Sequence, residues 1–291
     1  MRLRELLGHA VERFEHAGIG YGHGTTNAVD EAAWLILRAL DLPPHDLGSH
    51  LDDRVDAAQR KKALDLVERR VRTRKPAAYL LKEAWLGPHR FYVDERVIVP
   101  RSYIAELLRK WSRLRILPSS RIRTVLDLCT GSGCLAILAK LTFPAAKVDA
   151  ADLSPDALAV ARRNVADYGL EADIRLVESD LFSALGARRY DLIVSNPPYV
   201  NAAAMRRLPP EYRKEPRMAL ASGADGLDHT RAILAQAKRH LEPGGALVVE
   251  IGHNRQALEK SFPQLAFGWP PTSAGRESVF TLAREALPRL S

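Results

Sequence analysis

The residue types best suited to chemistry lie in the run Ser195-Asn196-Pro197-Pro198-Tyr199. The run follows Leu192-Ile193-Val194, an apolar stretch that reads as a short buried strand. Two prolines can neither continue a central strand nor enter a helix interior, so the backbone stops there in a fixed shape. Each proline also drives the residue before it into an extended conformation, which sets Asn196 and Pro197. The product is a rigid ledge with an amide side chain, a proline carbonyl and an aromatic face. Such a ledge suits a planar NH2 group. The Asn196 side-chain oxygen and the Pro197 carbonyl accept its two N–H bonds, Pro198 holds the backbone, and Tyr199 packs on the flat face. A plain strand-ending turn uses the same residues, so the rest of the chain must decide.

Three further stations repeat the pattern of a polar residue at a strand end. Thr124-Val125-Leu126-Asp127 reads as a strand, and Leu128-Cys129-Thr130-Gly131-Ser132-Gly133 turns directly into an apolar helix over Cys134 to Leu141. Glycines there let backbone N–H groups and a helix N-terminus approach a ligand with negative charge. The next strand, Val148 to Ala151, ends at Asp152, 19 residues after Gly133, where a carboxylate can accept both hydroxyls of an adenosine ribose. A third strand, Ile174 to Val177, ends at Ser179-Asp180-Leu181, with Asp180 placed for an adenine amino group. The predicted cofactor set is therefore Asp127, Thr130, Gly131, Gly133, Asp152, Asp180, Leu181 and Asn196. Gly131-x-Gly133-x-x-Ala136 also satisfies the loose dinucleotide fingerprint. A nicotinamide accounts for Asp152 but not for Asp180 together with the ledge, whereas S-adenosylmethionine accounts for all of them.

Strands alternating with helices from residue 121 onward imply a mostly parallel sheet with helices on both faces, an α/β fold. Ahead of it, apolar stripes predict helices over 5–17, from about Thr26 as cap to Leu40, and over 56–73. These form a small helical domain over 1–75. A connector over 76–120 carries an expected β-hairpin, Phe91-Tyr92-Val93 and Val97-Ile98-Val99 around Asp94-Glu95-Arg96, then a helix capped by Ser102 and running to Trp111. His23, between glycines, reads as a loop residue.

The 291 residues are 46% hydrophobic and 27% charged, the balance of a soluble globular chain of more than one domain. No uncharged apolar stretch approaches a membrane span, and Met1-Arg2-Leu3-Arg4-Glu5 has no signal-peptide core. Cys129 and Cys134 match neither a redox nor a zinc spacing and read as reduced thiols of a cytoplasmic protein, with no metal site expected. The net charge of +8 is concentrated: residues 54–75 and 101–123 each carry +6. Such patches suit a phosphate-rich partner such as ribosomal RNA, or form solvated helix faces.

The glycine turn with Asn-Pro-Pro-Tyr resembles the class I S-adenosylmethionine-dependent methyltransferases that modify planar amino groups. Within these the chain resembles the N5-glutamine methyltransferases, and among them the branch acting on a large-subunit ribosomal protein. The motifs run almost end to end: Gly22-His23-Gly24-Thr25-Thr26-Asn27-Ala28, Phe91 to Arg96 with Val99-Pro100-Arg101-Ser102, Asp127 to Cys134, Glu211-Tyr212-Arg213 with Glu215-Pro216, and Asp225-Gly226-Leu227-Asp228. The resemblance implies a substrate-recognition role for residues 1–75, a methyltransferase domain over 121–291, and catalytic and substrate-binding roles for Asn196, Pro197, Pro198 and Tyr199. It implies methylation of a glutamine side-chain amide. A release-factor glutamine and the amino group of a nucleic-acid base are alternative acceptors. Two departures stand out: Tyr103, where the family carries proline, is expected to alter only a helix start, and Trp269-Pro270-Pro271-Thr272 interrupts the last hairpin.

Overall fold

The computed structural model describes residues 1–44 and 46–288; His45 and residues 289–291, in the expected 1–75 and 121–291 segments, lie outside it. Five helices open the chain: α1 (Leu3–Ala17), α2 (Ala28–Ala39), α3 (Leu47–His50), α4 (Ala57–Thr73) and α5 (Ala77–Leu81). Leu3, Leu6, Ala10 and Phe14 of α1 meet Ala32, Leu35 and Ile36 of α2 and Ala63 and Val67 of α4 in a core of their own. Asn27, not Thr26, caps α2: its side-chain oxygen accepts from Asp30 N at 2.9 Å, the reach an N-cap has to the third helical residue. Inside this bundle Arg70 is fully buried. It is matched by Glu31 at 2.5 Å, with Thr25 Oγ1 donating to the other Glu31 oxygen at 2.7 Å.

The connector differs from its expected form. The hairpin is β1 (Ala84–Leu86) paired with β2 (His89–Phe91) around Gly87-Pro88. Residues 92–100 form no strand. Val93, Val97 and Val99 are buried, but against Ala157 and Val160 and not across a ladder, so their alternation records a buried side and not a strand partner. Side chains satisfy the backbone instead: Asn164 accepts from Tyr92 N at 2.7 Å and donates to Tyr92 O at 3.0 Å, and Glu215 accepts from Val99 N at 2.9 Å. Helix α6 (Ile104–Arg109) follows and tightens to a single 3-10 turn at Trp111–Arg113.

The remainder is β3 (Thr124–Leu128), α7 (Cys134–Thr142), β4 (Lys147–Asp152), α8 (Pro155–Asp167), β5 (Ile174–Glu178), β6 (Tyr190–Ser195), α9 (Ala202–Arg207), α10 (Asp228–His240), β7 (Leu241–Glu250), α11 (Arg255–Ser261) and β8 (Val279–Ala283). The sheet order is β5-β4-β3-β6-β7-β8, parallel except for β8, which runs antiparallel to β7. Gly268 pairs with Thr281 of β8, which sets the register of the proline-interrupted tail. Val125, Val148, Val194 and Val248 face α6 and α7 on one side, while Leu126, Ile193, Leu247 and Val249 face α10 and α11 on the other. The chain order reverses between β3 and β6, and that reversal opens a crevice at the carboxyl ends of the strands.

Candidate active site

Two cavities open at those strand ends, and Asn196 lines both. The first is a cleft bounded by Cys129, Gly131, Asp152, Asp180, Leu181 and Pro198. Gly131 has φ of +55°, and a Cβ built on it meets nothing within 4 Å, so the glycine leaves open space where a ligand can approach the backbone. Both Asp152 oxygens are engaged: Oδ2 accepts from Gly131 N at 2.8 Å and Oδ1 from Ser154 N at 2.9 Å. Burial raises the Asp152 carboxyl above its ordinary range against the pull of those bonds. Cys129 and Leu181 hold φ of +58° and +47°, a conformation disfavoured for side chains with Cβ, and both face the cleft.

The structure separates the predicted cofactor residues into two groups. Gly131, Asp152, Asp180, Leu181 and Asn196 line the cleft. Asp127, Thr130 and Gly133 lie behind it, and Asp127 is fully buried. One Asp127 oxygen accepts from Thr130 Oγ1 at 2.5 Å and Ala136 N at 2.9 Å, tying β3, the turn and α7 together; the other has no partner. Burial pushes the Asp127 carboxyl up to about 7. The orphaned oxygen, the open face of Gly131 and the paired acids at the ends of β4 and β5 suit the S-adenosylmethionine that a methyltransferase fold implies.

The second cavity, about 620 Å³, carries Asn196, Pro197 and Tyr199 on one wall and Tyr212 on another. Gly22, Gly24 and Thr26 of the N-terminal segment also reach it. Asn196 Nδ2 donates to the Arg101 carbonyl at 3.4 Å, which leaves Asn196 Oδ1 buried without a partner. Tyr199 packs on Gly252, where φ is +57° and a Cβ would stand 2.7 Å from the ring. Asn254 Nδ2 donates to the Tyr199 carbonyl at 2.8 Å and fixes the end of the ledge.

Sequence reasoning left out Arg101, Glu215 and Glu250. The Arg101 guanidinium forms two 2.6 Å bonds to Glu215. Burial opposes the Glu215 charge, but Arg101 outweighs it and holds the carboxyl down at about 2. His23 Nε2 stands 3.5 Å from the same carboxylate, its ring tilted by 49° against Tyr212 with centroids 4.2 Å apart. Ser102 Oγ and Tyr103 N both donate to Glu250 Oε2, at 2.6 and 2.8 Å. Tyr103 thus alters more than a helix start, because a proline there has no N–H to give. Among the described residues no cluster of three or more His, Cys, Asp or Glu is arranged to hold a metal ion, and no helix is long and apolar enough to cross a membrane.

Asp152→Ala removes the acceptor that fixes Gly131 as well as the charge in the cleft. Calorimetry should show S-adenosylmethionine affinity reduced by about 1.5 kcal/mol or more, and unchanged affinity removes Asp152 from the site.

Two family models match, the methyltransferase small domain over residues 113–209 and the PrmC N-terminal domain over residues 5–81. A ribosomal protein uL3 glutamine methyltransferase of Bordetella pertussis is 53% identical over 98% of this chain and 96% of its own length. The enzyme of that description from Bradyrhizobium diazoefficiens is 48% identical over 97% and 90%. The fold matches the hMettl16 catalytic domain, solved with MAT2A 3'UTR hairpin 1, with a TM-score of 0.54 and 18% identity over 87% of this chain and 90% of that one. The ledge lies at the seam of two cavities on a sheet of this order, and a chain about half identical to these enzymes from end to end belongs to the ribosomal protein uL3 glutamine methyltransferase family.

Proposed function

We propose that this protein methylates the side-chain amide nitrogen of a glutamine in ribosomal protein uL3. The observation that carries the reading is Asn196, which lines the cofactor cleft and the larger cavity at once and presents a buried, unpartnered Oδ1 between them. The full-length relatives, named as uL3 glutamine methyltransferases, support the same substrate. Bound in the cleft, S-adenosylmethionine supplies a methyl group already activated on a sulfonium. The protein's own task is positioning and charge stabilisation. Gly131, Asp152, Asp180 and Leu181 hold the donor, with Asp127, Thr130 and Gly133 shaping the turn from behind. An amide nitrogen is a poor nucleophile because its lone pair is delocalised into the carbonyl. Asn196 Oδ1 and the Pro197 carbonyl accept its two hydrogens and stabilise the positive charge that grows on nitrogen. Tyr199 fixes the plane, and Pro198 keeps the ledge from moving. Such chemistry on a ribosomal protein belongs in the cytoplasm.

An RNA partner beside the target is the second part of this reading. The expected 54–75 patch is largely neutralised: Arg70 pairs with Glu31, Arg74 with Glu211, Lys61 with Asp65, Lys62 with Asp41 and Lys75 with Glu95. In the 101–123 patch Arg101 is likewise committed to Glu215, whereas Arg109 and Lys110 are exposed and Arg109 lines the cavity. A third basic surface lies on residues 206–217, which wall the cavity through Leu208 and Tyr212. Arg206, Arg207, Arg213, Lys214 and Arg217 are exposed there, while the acids of the segment, Glu211 and Glu215, are buried and paired with Arg74 and Arg101. Unneutralised cations on the segment that walls the cavity favour a phosphate backbone near the glutamine.

Mass spectrometry of ribosomal proteins from cells lacking this enzyme tests the substrate. One methyl should disappear from one uL3 glutamine, with ribosomal RNA and release factors unchanged; loss from either of those instead sinks the assignment. Asn196→Ala should fold and keep its cofactor affinity while methyl transfer falls roughly a hundredfold, the cost of mispositioning. A near-parental rate would make the ledge purely structural. Replacing Arg206, Arg207, Lys214 and Arg217 by Ala should weaken binding to large-subunit precursors and flatten its salt dependence by about 0.7–0.9 for each phosphate no longer neutralised. An unchanged salt slope removes RNA from this face.

A further inference from the structure

We propose that Glu250 is the proton acceptor for the glutamine amide held on the Asn196–Pro197 ledge. The inference rests on the substrate reading above and assigns the step that the ledge leaves open, the fate of the amide proton.

Glu250 ends β7, the strand beside β6. Ser195 of β6 stands opposite Val249 of β7, so one residue further along lie Asn196 and Glu250. Two residues earlier, Val194 and Val248 both face the α6 and α7 side of the sheet, and alternation sends Asn196 and Glu250 to that same side. Their hydrogen bonds agree with this placement. Asn196 Nδ2 reaches the Arg101 carbonyl, and Glu250 accepts from the next two residues, Ser102 Oγ and Tyr103 N. Both side chains line the same cavity, and Glu250 is only 1% exposed. A carboxyl buried to this degree normally has a cation as its partner. Here the bonds from Ser102 and Tyr103 carry no charge, and the nearby guanidinium, Arg101, makes its bidentate pair with Glu215.

The ledge supplies acceptors only, so it can hold the amide hydrogens but cannot remove one. As the nitrogen's electron pair closes the new N–C bond, the pair of the breaking C–S bond stays on sulfur. One of the two N–H protons leaves its ledge acceptor and passes to the Glu250 carboxylate, and the products are a neutral N-methyl amide, a neutral thioether and a carboxylic acid. Burial pushes the Glu250 carboxyl up to about 7, against the bonds from Ser102 and Tyr103 and the field of Arg101. A base titrating there is well matched to neutral pH. The other ionisable groups around the cavity are Arg101, Tyr103, Glu106 and Arg109 from α6 and the segment entering it, Tyr199 on the ledge, Tyr212 across the cavity and His253 beyond β7. From β8 and the residue before it the neighbours are Val279 and Ser278, which bring no charge. The carboxylate is the active form, so activity rises as pH rises through the Glu250 midpoint.

Tyr103 gives a separate handle. Its φ of −70° is one that proline adopts, so Tyr103→Pro deletes the N–H donated to Glu250 Oε2 without forcing the backbone. Losing a donor to the charged form raises the midpoint. The experiment uses the full chain with uL3 as acceptor, a pH series of single-turnover rates, and an infrared titration of the carboxyl C=O band in the free protein. Glu250→Gln should keep its affinity for S-adenosylmethionine and uL3, lose one of two carboxyl bands that titrate near neutral pH while the Asp127 band remains, and lose both the rising limb and roughly a hundredfold in rate. Tyr103→Pro should move limb and band together to higher pH. A Glu250→Gln enzyme that retains the limb, or a Tyr103→Pro midpoint that stays put in both readouts, overturns the assignment with the substrate reading intact. A parental enzyme that leaves uL3 glutamine unmodified overturns both.

Discussion

A buried carbonyl oxygen with no protein partner, Asn196 Oδ1, is the constraint that the rest of the structure serves. Leaving such an atom unsatisfied costs about 1–3 kcal/mol, and a free asparagine would rotate to relieve it. Here the rotation is blocked from three directions. Pro197 and Pro198 fix the backbone on one side, and the Arg101 carbonyl takes the Nδ2 donor on the other. Ser195, just before it, is fully buried with its hydroxyl bonded to the Leu128 carbonyl at 2.9 Å. On the function proposed above, the unfavourable orientation persists until an NH2 group arrives to satisfy it, and the stored cost becomes preference for that group.

Holding Arg101 in place draws in the whole molecule. Its guanidinium belongs to Glu215, which also takes Val99 N and approaches His23. Four residues earlier Glu211 is fully buried and bonded to Arg74 at 2.9 Å, with Arg70 at 3.7 Å. Buried carboxylates must be paired, so residues 211–215 cannot leave the N-terminal helices without stranding charge. The helical domain is thus built into the cavity wall through ion pairs that reach, by way of Glu215 and Arg101, to the asparagine itself.

The sheet and the strand-end positions of Gly131, Asp152, Asp180 and Asn196 were legible because each is written locally: an apolar run, then a turn residue or polar side chain at its end. What escaped depends on partners far apart in sequence. Val93, Val97 and Val99 alternate as a strand would, and only α8 reveals that they pack on a helix. The +6 of residues 54–75 looked like a surface because Glu31, Asp41, Glu95 and Glu211, which offset most of it, lie outside the window. Tyr103 read as a helix start because its backbone N–H, the part that matters, has no signature in side-chain chemistry. Glu250 was invisible for a related reason: a strand-end carboxylate is ordinary until its burial and its neighbour across β6 are known.

On the function proposed above, the same arrangement accounts for a preference for an amide over an acid. A glutamate side chain on the ledge would set its oxygens against Asn196 Oδ1 and the Pro197 carbonyl, acceptor facing acceptor, with none of the hydrogens that satisfy them. It would also bring a second negative charge beside Glu250 in a cavity that already penalises the first. A lysine ammonium offers hydrogens, but it is tetrahedral and has no flat face for Tyr199, and its charge is strongly solvated outside. Only a neutral, planar NH2 satisfies the orphaned oxygen, lies flat on the aromatic ring and tolerates the neighbouring carboxyl in either protonation state. Acceptors on one edge and a buried acid on the other define the chemical class before any longer contact with the substrate protein is made.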